Sequence, residues 1–272
     1  MSRLDEKILR RSLPEFSASR LEELELFARI GSTNTHLLGK TPPGVGRCRV
    51  AIADHQSTGR GRHNRLWLSP PGAGLYLSLA YSFAVQPKAL ASLTLALGVG
   101  IVGALQKLHI AGVSLKWPND IVALDGKLGG VLTEVQSVKD AMCTVVTGVG
   151  INIKLPESLG VDVESGWAQR AVDLQTIAPD HPPREEIAAL LIDALCATMT
   201  EFEAQGFAGF VDDWRQHDWL HGRQITVDMP NQQVAGVAAG IDADGALLVD
   251  TGSKRIRVIS GSIVLTRGGV RS

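Results

Sequence analysis

The chain has 272 residues, 44% hydrophobic and 20% charged, a balance typical of folded globular proteins rather than disordered chains. This length fits one large domain, or one domain followed by a smaller one. A net charge of −1 excludes a general attraction for nucleic acid or for anionic membranes. The cysteines at 48, 143 and 196 show neither a disulfide framework nor metal-ligand spacing, so we expect a cytoplasmic location.

Residues 1–26 are predicted to form an N-terminal helical extension. The run SASRLEELEL places a serine cap ahead of two glutamates, which is typical of a helix start. The residues before it lack the apolar core of a secretory signal. The extension is also too short for a winged-helix DNA-binding domain, which needs ~60 residues or more.

The next elements are a short strand at 27–30 and a helix that ends at Leu38, with Ser32-Thr33-Asn34 at the helix start. A capping role alone would explain these three residues. A helix start also presents free N–H groups and short polar side chains, so a ligand-binding role is compatible. Residues 48–53 then predict a buried strand.

The loop that follows, HQSTGRGRHNRLWL at 55–68, alternates two arginines with two glycines before Arg65. Glycine lets the backbone approach a ligand closely, and the planar arginine fork matches phosphate and carboxylate groups. By itself the pattern fits a solvated basic turn, a loop that wraps a polyanion, or an RNA-binding patch. Trp67 is predicted to pack this arginine loop against the protein.

A strand at 75–83 and a long apolar helix beginning at Pro87 are predicted next. The apolar stretch at 89–105 is shorter than the ~20 residues that span a bilayer, and its glycines and hydroxyl residues favour a buried helix. Residues 98–103 spell GxGxxG. A dinucleotide-binding fingerprint follows a strand and opens a helix, whereas this one lies inside a helix, so we reject that site.

A hairpin is predicted from two strands, at 113–116 and 121–124, joined by the KWPND sequence at 116–120. Pro118 interrupts the strand ladder, and Asp125-Gly126 is the expected turn into Lys127-Leu128-Gly129-Gly130. The hairpin would bring four polar residues together: Lys116, Asn119, Asp120 and Lys127. A lone turn lysine is usually solvent-exposed, so the pattern by itself assigns Lys127 no role.

The second half begins with a strand at 142–153, which the sequence GVGIN at 148–152 interrupts. An irregular stretch at 154–182 and two helices, at 184–204 and 207–219, are predicted to follow. His217 and His221 stand four apart without a third ligand, so we reject a zinc site. From residue 223 the pattern becomes short strands separated by turns, which predicts a small β-barrel.

Five motifs in this order resemble the catalytic domain of a biotin protein ligase: Ser32-Thr33-Asn34, GRGR, KWPND, KLGG and GVGIN. The resemblance is dense over residues 28–155 and loose beyond. It implies an α+β fold, with a mixed sheet flanked by helices of the class II synthetase-like type and a small C-terminal β-barrel. The implied domains are an extension (1–26), a catalytic domain (27–219) and a barrel (220–272), without the DNA-binding domain that some members carry.

The implied activity is ATP-dependent activation of biotin as biotinyl-5′-AMP. Biotin is then transferred to a lysine of the biotin carboxyl carrier protein of a biotin-dependent carboxylase. Magnesium would accompany ATP, and Asp120 would at most assist that ion indirectly. The acceptor lysine is the nucleophile, so the absence of a Ser-His-Asp or Cys-His pattern fits. Neither nucleic acid nor a membrane is an expected partner, and a monomer and a homodimer both remain open.

The resemblance also implies the site residues. Those expected to bind biotin are Ser32, Thr33, Asn34, Gln56, Arg60, Gly61, Arg62, Lys127, Gly129, Gly130 and Gly150. Those expected to bind ATP or the adenylate are Arg60, Arg62, Arg65, Trp67, Lys116, Asn119, Asn152 and Trp167. Among them, Lys127, Arg62 and Lys116 are the expected catalytic residues, with Lys127 at the biotin carboxylate and Lys116 at the α-phosphate. Trp167 fits either stacking on adenine or a place in the core.

The C-terminal run Gly261-Ser262-Ile263-Val264-Leu265-Thr266-Arg267 departs from the family's GE-x-SLR-like run. Ser262 replaces the glutamate and Arg267 is displaced by one position, which leaves the role of this module open. Three other functions remain as alternatives. They are a lipoate or octanoate ligase, which needs a long apolar tunnel, a biotin-responsive DNA-binding regulator, and a non-catalytic metabolite-binding module.

Overall fold

The computed structural model describes residues 4–84, 90–139, 142–156, 171–230 and 232–265. It begins with two short helices, α1 (Glu6–Ser12) and α2 (Glu15–Arg20), and the Asp5 side chain caps α1 by accepting from the Lys7 and Ile8 amides. Strand β1 (Leu21–Phe27) follows directly. Helix in this segment therefore ends at residue 20.

Residues 21–26 were predicted as helix but form an edge strand that pairs in parallel with the next strand of the sheet. The physical reason is tertiary, because cations of neighbouring elements compensate the glutamates of β1. Arg49 lies 3.4 Å from Glu22 and 3.2 Å from Glu23, and Lys40 lies 3.1 Å from Glu23. Of the strand predicted at 27–30, Phe27 is the last residue of β1 and Ile30 forms a single bridge with Gln56.

In the described part, β1 belongs to a seven-stranded sheet of order β1-β2-β3-β7-β6-β5-β4. The other strands are β2 (Cys48–Ala53), β3 (Gly74–Phe83), β4 (Val113–Lys116), β5 (Asp120–Ala123), β6 (Gly126–Lys139) and β7 (Met142–Asn152). The β1–β2 pair is parallel and the remaining pairs are antiparallel. This confirms the mixed sheet.

The turn between β5 and β6 lies one residue earlier than predicted. Leu124 and Asp125 adopt positive φ angles of 48° and 56°, and Gly126 already pairs with Ala123 as the first residue of β6. The shift matters little for the site, because Lys127 is still the second residue of β6, next to the turn.

Helices cover both faces of the sheet. They are α3 (Thr33–Leu38), α4 (Leu90–Lys107), α5 (Leu174–Ile177), α6 (Arg184–Gln205) and α7 (Val211–His217). Helix α3 packs on β2, β3 and β7, while α6 packs on β3, so every residue of β3 is buried. The predicted helix at 207–219 divides into a 3-10 turn (Gly206–Gly209) and α7, and Gly206, with a positive φ of 65°, ends α6 ahead of that turn.

The glycine-rich run of α4 serves packing. A methyl group on Gly100 would overlap the Thr198 hydroxyl of α6, so glycine lets the two helices approach closely. This supports rejecting a dinucleotide site. The predicted helix start at Pro87 lies outside the described residues. Among the helices that are described, none is both long and apolar enough to cross a membrane.

The C-terminal residues form a separate five-stranded antiparallel sheet of order β11-β10-β9-β8-β12. Its strands are β8 (Gln224–Met229), β9 (Gln232–Ile241), β10 (Leu247–Asp250), β11 (Arg255–Val258) and β12 (Ser262–Leu265). Within the described residues the edge strands β11 and β12 do not pair with each other. The small β module is therefore present, with an open hydrogen-bonding pattern. The described chain also holds no cluster of metal ligands around His217 and His221.

Candidate active site

A cavity of about 590 Å³ lies between the first turn of α3, the arginine loop, the β5–β6 hairpin, strand β7 and the C-terminal module. Most of the residues predicted for the site line it: Ser32, Thr33, Asn34, Gln56, Arg60, Gly61, Arg62, Arg65, Trp67, Asn119, Asp120, Lys127, Gly130, Gly150 and Asn152. The structure thus gathers motifs from distant parts of the sequence around one space.

The start of α3 provides a buried corner of neutral polar groups. Ser32 is the N-cap, and its hydroxyl accepts from the Thr35 amide at 3.4 Å. Gln56 accepts at its Oε1 from the Thr33 amide (2.8 Å) and the Thr33 hydroxyl (3.1 Å). The Ser78 hydroxyl of β3 lies 2.6 Å from Asn34 Oδ1 and 2.7 Å from Thr33 Oγ1. Such a corner offers donors and acceptors without a net charge.

Two glycines of β7 make room for the cavity walls. A Cβ atom on Gly148 would overlap the Asn34 amide, and one on Gly150 would lie 2.7 Å from the Trp67 ring. The indole therefore lies directly across the backbone of Gly150, which forms one wall of the site. Trp67 does pack the arginine loop down, as predicted, and it does so on a strand that lacks a side chain at this position.

Lys127 is the cation on the hairpin side. Its Nζ atom lies 2.7 Å from Asp120 Oδ1 and 5.2 Å from the centroid of the Trp67 ring. Its side chain is 34% exposed, so the ammonium group can reach a ligand in the cavity. The Asn152 amide donates to the Lys127 carbonyl at 3.2 Å, and the Asn119 amide donates to the Val131 carbonyl at 2.9 Å. Both asparagines hold the backbone that carries Lys127.

The arginine loop brings three cations to the cavity. Arg60 makes a two-pronged ion pair with Glu134 of β6, at 2.8 and 3.2 Å. Arg62 donates to the Gly261 carbonyl of the C-terminal module at 3.4 Å. Burial lowers the pKa of Arg62, an effect that the Asp120 carboxylate opposes. Arg65 is exposed, and its carbonyl accepts from the Gly61 amide at 2.8 Å, which closes the loop on itself.

Lys116 does not line the cavity, contrary to the prediction that it binds the α-phosphate. It is fully buried, and its Nζ atom lies 5.7 Å from the centroid of the Trp219 ring. Burial lowers the pKa of Lys116 to about 6, with Asp120 opposing the shift. Burial of this kind favours the neutral form of the amine and shields it from a ligand in the cavity.

Gly129 also lies off the cavity wall. A Cβ atom on Gly129 would lie 2.5 Å from the Gly150 carbonyl oxygen, so its close approach is between strands β6 and β7 and not to a ligand. Trp167, Thr266 and Arg267 lie outside the described residues, so the role of Trp167 stays a prediction. Ser262, in contrast, lines the cavity together with Gly261 and Ile263.

Two polar residues of the site were not predicted from the sequence: Ser78, which lines the cavity, and Glu134, which bonds to the lining residues Asn34 and Arg60. Ser78 interrupts the otherwise apolar start of β3 on the face that meets α3, and a buried hydroxyl at such a position indicates a hydrogen-bond partner. Glu134 gives a weaker signal, because polar residues are frequent throughout the second half of β6. Its partners, Arg60 and Asn34, are 74 and 100 residues away in the sequence.

Comparison with known proteins is consistent along the chain. Residues 26–152 match the model of the biotin/lipoate A/B protein ligase family, and residues 220–266 match the biotin protein ligase C-terminal domain. The chain is 35% identical over 271 residues to the biotin–[acetyl-CoA-carboxylase] ligase of Mycobacterium tuberculosis, which covers 97% of this chain and 96% of that relative.

Two further similarities extend the comparison. The bifunctional ligase/repressor BirA of Escherichia coli is 34% identical over 224 residues, which cover 81% of this chain and 67% of that protein. The structure of a biotin protein ligase from Aquifex aeolicus in complex with biotin and ATP superposes with a TM-score of 0.74 at 26% identity, over 91% of this chain and 100% of the other. By sequence, domain content and fold, the chain belongs to the biotin protein ligase family.

Proposed function

We propose that this chain is an ATP-dependent biotin protein ligase, which makes biotinyl-5′-AMP and transfers biotin to a lysine of a biotin carboxyl carrier protein. One observation carries the proposal: a single cavity joins a neutral polar corner to a lysine and three arginines. Biotin is a neutral ureido ring joined to a carboxylate, and ATP is a polyanion. The cavity therefore offers each of these groups a chemically matched partner.

The polar corner would bind the ureido ring. The ring carries one carbonyl and two N–H groups, and the Thr33 hydroxyl, the Asn34 amide and the Gln56 amide include both donors and acceptors. These groups are already hydrogen-bonded to one another and to Ser78, so their orientations are fixed before the ligand arrives. Fixed partners reduce the conformational entropy that binding costs.

Lys127 would meet the biotin carboxylate. Its present partner is Asp120, so the ligand carboxylate would share or replace that ion pair. Neutralising the carboxylate lets it approach the α-phosphate of ATP, which otherwise repels it. A carboxylate oxygen then forms a bond to the α-phosphorus, the bond from that phosphorus to the bridging oxygen breaks, and pyrophosphate leaves with the electron pair.

Arg62 and Arg65 are the arginines available to the phosphates, since both terminal nitrogens of Arg60 already donate to Glu134. Their positive charges would stabilise the charge that develops on the α-phosphate and on the leaving pyrophosphate. In the second step the acceptor amine forms a bond to the biotinyl carbonyl carbon, AMP leaves, and the nitrogen loses a proton. No enzyme nucleophile is needed.

Magnesium fits as the ion carried by ATP. Asp120 is the one cavity carboxylate placed close to the catalytic lysine, and it is already paired, while the described residues hold no cluster of metal ligands. Magnesium retains water and phosphate ligands in such surroundings and neutralises phosphate charge. We further propose a cytoplasmic protein that needs no nucleic acid, which the net charge of −1 supports.

The experiment is biotin-dependent ATP–pyrophosphate exchange on the purified protein with magnesium, with lipoate and octanoate in parallel. We expect exchange with biotin alone, followed by labelling of a biotin carboxyl carrier protein. Exchange with lipoate or octanoate in place of biotin would move the chain to the lipoate branch of the family. A folded protein that supports exchange with none of the three would be a non-catalytic binding module.

A further inference from the structure

Glu134 of strand β6 connects two parts of the site that are far apart in the sequence. Its Oε1 accepts from Arg60 at 2.8 Å, and its Oε2 accepts from Arg60 at 3.2 Å and from the Asn34 amide at 3.0 Å. The side chain is 22% exposed, so solvent screens these contacts only partly. One carboxylate thus holds both the arginine loop and the first turn of α3.

The Arg60–Glu134 pair is the one salt bridge that the arginine loop makes in the described part of the chain. The loop's other polar contacts lie within itself, on the C-terminal module, or at its base, where Gln56 accepts from Thr33 and the Ser57 and Thr58 amides donate to the carbonyls of residues 30 and 31. Gly61 and Trp67 donate backbone hydrogen bonds to Arg65 and Gly59, and Arg62 reaches the Gly261 carbonyl at 3.4 Å. Glu134 is therefore the charged group of the main sheet that holds the loop, in addition to the packing of Trp67 on Gly150.

Helix α3 does not depend on Glu134 alone. Gln136, two residues further along β6, donates its amide to the carbonyls of Leu37 (3.1 Å), Leu38 (3.3 Å) and Lys40 (2.6 Å) at the other end of the helix. Asn34 also accepts from Ser78 at 2.6 Å. Removal of the Glu134 charge should consequently release the loop and loosen one side chain of the polar corner, while α3 stays in place.

We infer that Glu134 is a positioning residue that links biotin recognition at Asn34 to closure of the arginine loop through Arg60. This inference rests on the proposed function. In this arrangement Arg60 acts as an anchor for the loop, whereas Arg62 and Arg65 meet the phosphates. A ligand that orders Asn34 also orders the carboxylate that holds Arg60, so the two parts of the site tighten together.

Isothermal titration of biotin in the absence of ATP tests the link. We expect Glu134→Gln to raise the biotin Kd about tenfold or more, since a charged, two-pronged contact is lost. Glu23→Gln is the matched control, because Glu23 also forms ion pairs on the sheet but lies away from the cavity. Its biotin Kd should equal that of the wild type.

A double-mutant cycle separates an anchor from a direct ligand contact. If Arg60 acts through Glu134, Arg60→Gln adds little to the loss already caused by Glu134→Gln, and the two effects are non-additive. Fully additive effects on the biotin Kd would mean that Arg60 contacts the ligand independently. That result would overturn the inference, as would a wild-type Kd for Glu134→Gln.

Limited trypsin digestion of the ligand-free protein tests whether Glu134 holds the arginine loop, and it requires no assumption about the reaction. Cleavage after Arg60, Arg62 or Arg65 should be several-fold faster in Glu134→Gln than in Glu23→Gln, at equal thermal stability of the two variants. Equal cleavage rates would refute the anchor role even if the wild type proves inactive. Faster cleavage together with an absence of biotin binding in the wild type would retain the anchor and refute the ligase function.

Discussion

Lys127 is the residue on which the proposed chemistry depends most directly. It lies on the cavity wall, with its Nζ atom 2.7 Å from Asp120 and 5.2 Å from the Trp67 ring centroid. A cation at this place has to neutralise the biotin carboxylate before that carboxylate can attack a phosphate. The Asp120 partner keeps the ammonium group oriented in the free enzyme.

We expect Lys127→Ala to lower biotin-dependent pyrophosphate exchange by about 10²–10³-fold, the usual loss when one preorganised electrostatic contact is removed. The fold should persist, because the side chain is 34% exposed and its backbone is held by Asn152. Lys139→Ala, at the exposed far end of the same strand, is the control and should retain full activity. Undiminished exchange in Lys127→Ala would contradict the assignment.

Lys116 provides a second prediction, on stability rather than on catalysis. Burial lowers its pKa to about 6 in the folded protein, whereas an unfolded lysine titrates near 10.4. Between these values the unfolded chain binds more protons than the folded chain, so this residue makes stability rise with pH. Below pH 6 the full cost of burying the charge is present, and above pH 10.4 it is lost.

The measurement is urea unfolding of the wild type and of Lys116→Met at pH 6, 7.5 and 9. The free energy of unfolding of the wild type minus that of the variant should increase steadily over this range, since other titrating groups cancel. A difference that stays constant with pH would show that Lys116 remains charged in the folded state. It would also reopen a role for this residue in phosphate binding.

At the scale of elements, strand β7 is shaped by what packs across it. Gly148 faces the Asn34 amide and Gly150 faces the Trp67 ring, and a Cβ atom at either position would overlap the side chain that it faces. A strand normally disfavours glycine, because the residue weakens packing and costs backbone entropy. Two such positions in one strand therefore mark the cavity wall.

Gly150→Ala should displace the Trp67 indole and raise the KM for biotin about tenfold or more, while far-UV circular dichroism stays unchanged. Gly103→Ala in α4 is the matched control, because a Cβ atom there meets nothing within 4 Å. The control should keep wild-type kinetics and gain about 0.5–1 kcal/mol of stability from a better helix former. An unchanged KM in Gly150→Ala would mean that Trp67 is not part of the cavity wall that binds biotin.

Elements were predictable where local pattern and tertiary packing agree. Strand β2 and the N-cap of α3 lie where the sequence indicates, since apolar runs and capping residues act locally. Strand β1 was predicted as helix because its glutamates suit a helix start, and only Arg49 and Lys40 of other elements make a strand of it. Lys116 was predicted to contact the ligand, because the KWPND motif does not indicate how deeply each of its residues is buried.

The site itself was predictable as a set of motifs but not as a set of contacts. The resemblance identified the arginine loop, the β5–β6 hairpin and the start of α3, and residues from all three line the cavity. The ion pair between Arg60 and Glu134 joins positions 74 residues apart, and no local pattern in the sequence encodes such a pairing. Strand order is likewise a tertiary property that the sequence left open.

On the scale of the whole molecule, the C-terminal module completes the site. It places Gly261, Ser262 and Ile263 on the cavity wall, and Gly261 accepts from Arg62. The module is held to the catalytic part by Trp117, whose indole N–H donates to the Gly245 carbonyl at 3.1 Å in buried surroundings. The same tryptophan belongs to the KWPND motif and lines the cavity. The Trp117 side chain therefore contributes both to docking of the module and to the shape of the site.

Trp117→Phe keeps an aromatic ring but leaves the buried Gly245 carbonyl without this donor, so we expect it to lower the free energy of unfolding by about 1–3 kcal/mol. Trp219→Phe is the matched control, because its indole N–H donates to Asp125 at 2.9 Å in exposed surroundings, where water can replace it. The control should cost less than about 1 kcal/mol. Urea unfolding of both variants measures the difference, and pyrophosphate exchange at limiting ATP should decline in Trp117→Phe. Equal stability losses in the two variants would show that the buried bond does not hold the module in place.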